Sequence, residues 1–92
     1  MQTNSHIVTA YVQHTAGSQA MVSDARALLP SGITHDSRYT RPYGIYVDRA
    51  EGPRKWDVDG NAYVDYFGGH GALLLGHRHP DVERSIQKAL VD

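Results

Sequence analysis

The sequence predicts an α/β chain that runs helix, irregular loop, three-stranded antiparallel meander, Gly-rich turn, helix. Three observations predict it. Apolar residues recur at helical spacing at Met21, Val22, Ala25, Leu28 and Leu29. Three β-type runs then follow, divided only by the turn formers Glu51-Gly52-Pro53 and Asp59-Gly60-Asn61. After Pro80 a second helical face appears in Val82, Ile86, Ala89 and Leu90.

In chain order, residues 1–16 mix polar and isolated apolar side chains without clear period and are expected to form an irregular N-terminal arm. Residues 17–92 are expected to form one incomplete domain. Its first helix runs from Ser18 to Leu29 and stops at Pro30, which can neither donate a helical hydrogen bond nor sit in the helix interior. Residues 31–44 read as a polar loop carrying Thr34, His35, Asp36, Ser37, Arg38 and Arg41, closed by Pro42-Tyr43-Gly44.

The strands are expected at Ile45–Ala50, Arg54–Val58 and Ala62–Phe67. In the third, Tyr63, Asp65 and Phe67 alternate with Ala62, Val64 and Tyr66, as in a sheet with one face buried and one partly wet. Gly68-Gly69-His70-Gly71 then breaks the pattern. Pro80 suits the first position of the closing helix, and Asp81 and Glu83 oppose the positive end of its dipole. That helix meets Asp92 with no glycine or asparagine cap, and three short strands with two short helices read as too few to enclose a core, the alternative being a miniature domain with the meander packed on both helices. An incomplete portion of a larger fold is the expectation.

Composition narrows the function classes. The chain has 92 residues, 40% apolar and 21% charged, close to ordinary globular protein. Nine basic and ten acidic residues are interspersed, so no cationic stripe is available for nucleic acid. The longest apolar run, Ala72 to Leu75, is far short of the ~20 residues that span a bilayer. The polar start after Met1 is unlike a signal peptide. The absence of cysteine excludes disulfides and fits a cytoplasmic location.

Several motifs invite a chemical reading. Asp57, Asp59 and Asn61 match the first places of a calcium loop, but Ala62 and Gly68 stand where it needs glycine and glutamate, so the string reads as a hairpin turn. His70, His77 and His79 could serve a small metal-binding or interaction module, although no cysteine or paired glutamate completes a shell. A histidine just before Pro80 reads better as a cap on unpaired backbone groups. The glycines match neither a dinucleotide nor a Walker motif, and no G-x-S-x-G elbow occurs. Arg38, a permanently charged fork in a loop, suits bidentate capture of a carboxylate.

Taken together, Trp56-Asp57-Val58-Asp59-Gly60-Asn61-Ala62-Tyr63-Val64-Asp65-Tyr66, the turn Gly68 to Gly71, and Leu75-Gly76-His77-Arg78-His79-Pro80 resemble the class III pyridoxal-phosphate-dependent aminotransferases. Upstream, Leu29 to Arg38 resembles a segment of the glutamate-1-semialdehyde aminomutase branch. The resemblance implies the N-terminal part of a fold type I transferase, a pyridoxal 5'-phosphate cofactor, a small amino substrate and a homodimer when complete. It implies that Arg38 grips a substrate carboxylate and that Gly69, His70 and Gly71 line the substrate pocket, His70 standing where the aminomutase has tryptophan. Neither Lys55 nor Lys88 matches the family's cofactor lysine. The chain by itself is therefore expected to bind no cofactor and to be inactive.

Overall fold

The computed structural model describes residues 5–91. Its elements are α1 (His6–His14), α2 (Ala16–Leu28), two 3-10 turns (Pro30–Gly32 and Asp36–Arg38), β1 (Val47–Glu51), β2 (Arg54–Asp57), β3 (Ala62–Val64), a four-residue helical turn α3 (Gly68–Gly71) and α4 (Pro80–Val91).

The first difference from expectation is α1, which occupies most of the arm read as irregular; residues 1–4 lie outside the described residues. Ser5 caps this helix, its hydroxyl accepting the Ile7 N–H at 3.3 Å. Val8, Tyr11, Val12 and Thr15 then fall on one inward side, Thr15 being 1% exposed. This spacing is helical, but β-branched and aromatic residues hide it from propensity alone.

Helix α2 begins with an unusual cap. Asp59, in the turn between β2 and β3, accepts the N–H groups of Gly17 at 2.6 Å and Ser18 at 3.1 Å. The carboxylate thus satisfies two of the first free donors and sits at the positive end of the helix. Val22 and Ser18 are the buried residues of α2, while Met21 and Leu28 stay exposed. The helix ends before Pro30, as expected.

The three strands form an antiparallel meander in the order β1-β2-β3. Register pairs Ala50 with Lys55 and Lys55 with Tyr63, and a bulge lies between Val47 and Arg49. The guanidinium of Arg49 stacks 3.7 Å from the centre of the Trp56 ring across the first pair. The strands are shorter than expected. Tyr46 is drawn away to bond its N–H to Ser18 Oγ at 3.0 Å, and Asp65 turns the chain out of β3 by taking the Phe67 and Gly68 N–H groups.

The core is thin and unusually polar. Val22 and Tyr43 are its buried apolar members, alongside buried Thr15, Ser18 and Asp57. Tyr43 Oη meets Thr15 Oγ1 at 3.0 Å, and Tyr11 Oη donates to the Tyr43 carbonyl at 2.7 Å. Asp57 organises the β2–β3 turn. It accepts from the Asp59 and Asn61 N–H groups, the Asn61 amide and the Tyr63 hydroxyl at 2.8–3.0 Å. Burial raises the Asp57 carboxyl, but these four donors outweigh it and the group ends below its ordinary value.

A backbone bridge ties the far loop to the sheet, with Gly52 and His77 exchanging both N–H···O bonds at 2.8 Å. Gly76 allows this crossing, because a Cβ there would lie 2.8 Å from the Gly52 carbonyl oxygen. Beyond it, α4 starts from a His79 cap whose Nδ1 accepts the Asp81 N–H at 3.3 Å. Its apolar residues Val82, Ile86 and Leu90 remain exposed. The radius of gyration, 16.1 Å, exceeds the about 12 Å of a compact chain of this length.

Candidate functional site

A cavity of about 740 Å³ opens between α2, the loop after it, the sheet and the glycine turn. Val22, Ala25, Leu29 and Ile33 supply its apolar wall. Its polar groups come from two separate places, Arg38 on the loop and a cluster around Asp65 beneath the turn.

Arg38 closes the second 3-10 turn. The segment before it is tied to itself, since His35 Nδ1 accepts the Ser37 N–H at 3.2 Å and lies 2.9 Å from Ser37 Oγ. The guanidinium spends one N–H on Thr34 Oγ1 at 3.1 Å. Its remaining N–H groups make no hydrogen bond among the described residues, which leaves a fork able to receive a carboxylate.

The turn Gly68-Gly69-His70-Gly71 has left-handed backbone throughout, with φ of 52°, 61°, 62° and 80°. It closes by bonds from Gly71 N to Phe67 O and from Leu73 N to Gly68 O, both 3.0 Å. Glycine adopts this conformation freely, whereas a side chain costs about 1–2 kcal/mol. His70 therefore carries the strain of the turn. Its ring is propped edge-on by Phe67, at 4.4 Å between centroids, and by His35, at 5.5 Å.

Asp65 holds the base of this turn. Its Oδ1 accepts from Phe67 N at 3.1 Å, Gly68 N at 3.2 Å and Lys55 Nζ at 3.3 Å; its Oδ2 accepts from His77 Nε2 at 2.6 Å. The His77 bond, with the Gly68 N–H next, overcomes burial and holds the Asp65 carboxyl well below the usual carboxylate range. With its side chain only 6% exposed, Asp65 is shared between the Lys55 ammonium and the His77 ring.

Of the four expected pocket residues, Arg38, Gly69 and His70 line one cavity, while Gly71 lies outside that lining and closes the turn. The three histidines of the metal-module alternative do not come together. His77 is bound to Asp65, His79 caps α4 and His70 packs on Phe67. No group of three or more metal-ligating side chains gathers among the described residues. Sequence alone does not place Lys55, Asp65 and His77 at the cavity, which the fold does. The available signal was an aspartate placed just before a glycine run, where its carboxylate can take the N–H groups of the turn.

Residues 35–92 match the family model described as aminotransferase class-III. A glutamate-1-semialdehyde 2,1-aminomutase from Methanothrix thermoacetophila is 40% identical over 83 residues, covering 90% of this chain and 19% of that protein. Among solved structures, a β-phenylalanine aminotransferase from Variovorax paradoxus aligns with TM-score 0.85 at 22% identity, over 89% of this chain and 19% of its own. A transaminase with PLP bound aligns with TM-score 0.79 at 33% identity, over 83% of this chain and 18% of its own. The chain spans about a fifth of the length of the curated relatives it matches.

Proposed function

This chain belongs to the class-III aminotransferase family, and from that premise we propose that it supplies the substrate-recognition wall of a pyridoxal-phosphate-dependent aminotransferase or aminomutase. The fold is that of the corresponding part of the fold type I transferases. The substrate class proposed is an amino acid or amino-aldehyde bearing a carboxylate, held by Arg38 over the turn that carries Gly69, His70 and Gly71. One observation carries the reading: Arg38, which spends one N–H on Thr34, lines the same cavity as Gly69 and His70.

The described residues do not by themselves make a site for pyridoxal phosphate. When bound, that cofactor supplies an electron sink to an amine substrate, for which an enzyme provides a free lysine and donors for the phosphate. Lys55 lines the cavity, but its ammonium is paired with Asp65 at 3.3 Å. Lys88 lies exposed on α4. The Phe67 and Gly68 N–H groups are spent on Asp65, and that of Gly71 on Phe67 O. This chain therefore contributes binding and orientation, and other parts of the complete enzyme, a cytoplasmic homodimer that covers the exposed apolar side of α4, hold the cofactor.

A chemical-shift titration of the chain with glutarate tests the reading. Arg38→Ala should weaken binding by about tenfold or more, the scale of a charge-assisted pair. Equal binding by wild type and Arg38→Ala would overturn it.

A further inference from the structure

Four cationic or potentially cationic side chains line the cavity: Arg38, Lys55, His70 and His77. Asp65 is the acidic residue among them, and it is already shared between Lys55 at 3.3 Å and His77 at 2.6 Å. Those two donors are directed at the wall. Arg38 and His70 are left with donors free to meet a ligand, and the ring nitrogens of His70 take no hydrogen bond among the described residues.

The placement of His70 adds to this. It is the one residue with a side chain in a turn whose other members are glycines, and it sits at φ 62°, where a side chain is strained. Strain of this kind is stored at ligand-binding sites when surrounding structure enforces it. Here Asp65 fixes the start of the turn through the Phe67 and Gly68 N–H groups, and Phe67 and His35 brace the ring on two edges.

We infer that His70 is a second carboxylate-recognising group of the cavity, acting with Arg38 to select an anionic amino substrate. This rests on the Arg38 reading given above and deepens it. A neutral imidazole donates from one ring nitrogen, whereas the protonated ring donates from both and carries a charge. The ionisable groups around it are His35 at its edge, Asp36 beside His35 at 2.9 Å, and across the cavity Arg38 and the Asp65 pair. A guanidinium stays charged at every pH of the test, so a pH-dependent part of anion binding belongs to imidazole.

The test titrates the chain with glutarate, and with uncharged glutaramide as control, at about pH 6 and about pH 8. Wild type should bind glutarate about tenfold more tightly at the lower pH and show no such change with glutaramide. His70→Gln should bind as weakly at low pH as wild type does at high pH. His70→Gly, which fits the left-handed turn, should behave the same way and guards against misfolding of the first variant. His35→Gln should keep the pH dependence.

A pH dependence that survives in both His70 variants overturns the inference, as does the absence of glutarate binding by wild type at low pH. If Arg38→Ala alone abolishes binding and the His70 variants change nothing, the inference fails and the Arg38 reading stands. If Arg38→Ala binds normally while the His70 variants lose the pH dependence, the Arg38 reading fails and with it the joint action inferred here, His70 recognising the anion without Arg38.

Discussion

His77 Nε2 donates to Asp65 Oδ2 at 2.6 Å, joining the segment that follows the glycine turn to the residue that precedes it. One carboxylate thereby pins both ends of the loop that presents His70 to the cavity. Asp65→Asn should cost about 1–2 kcal/mol, because Lys55 and His77 are part-buried and the amide oxygen can still accept one N–H of the turn. The Asp65 carboxyl is held low by His77 and the turn N–H groups, so its contribution is complete above its unfolded value of about pH 4 and lost as pH falls below that. Acid unfolding followed by circular dichroism should therefore be steeper in wild type than in Asp65→Asn.

Tyr63 gives the opposite pH dependence. Burial first, then the bond to the Asp57 carboxylate, pushes its phenol up to about 12. A raised value means the contribution is complete below the ordinary phenol value of about 10 and is lost as pH rises toward the folded one. Tyr63→Phe should cost about 1 kcal/mol at neutral pH. Its melting temperature should also fall less than that of wild type in alkaline buffer.

The cap on α2 comes from a residue 42 positions away, Asp59. Asp59→Ala should destabilise the chain by about 1 kcal/mol, and Asp59→Asn by less, because the amide oxygen can still accept. Gly17→Ala should mimic the loss, since its Cβ would lie 2.9 Å from Asp59 Oδ1. Urea denaturation monitored at the Trp56 fluorescence would measure all three.

In the glycine turn, His70→Gly should raise stability by up to about 1 kcal/mol by removing the left-handed strain. His70→Val should lower it, because a β-branched residue tolerates positive φ least. Thermal melts of the two variants beside wild type decide the point.

Much of the scaffold was legible from local patterns. The spacing of Val22 and Ala25 with the stop at Pro30 marked α2, and Asp59-Gly60-Asn61 marked the β2–β3 turn. The His79 cap on α4 also followed from its place before Pro80. Helix α1 did not, because Val8, Tyr11 and Val12 favour strands in isolation and become helical when Tyr11 and Thr15 bond to Tyr43. The strand ends were misplaced for a related reason: Ser18 and Asp65 compete for backbone N–H groups that a ladder would use.

The sequence by itself determined the order of the elements from α2 to α4 and, through its resemblance to a known family, that family and Arg38 and the Gly69 to Gly71 turn as pocket candidates. The element order depends on periodicity and turn chemistry, which are local, and the pocket candidates on what the resemblance implies. Tertiary structure alone decided which polar groups meet. That Asp65 consumes Lys55 and His77, leaving Arg38 and His70 to face the cavity, depends on the path of a chain that brings residues 10 and 12 positions apart onto one carboxylate. A buried charge settles against its nearest donors, and only folding sets which donors are near.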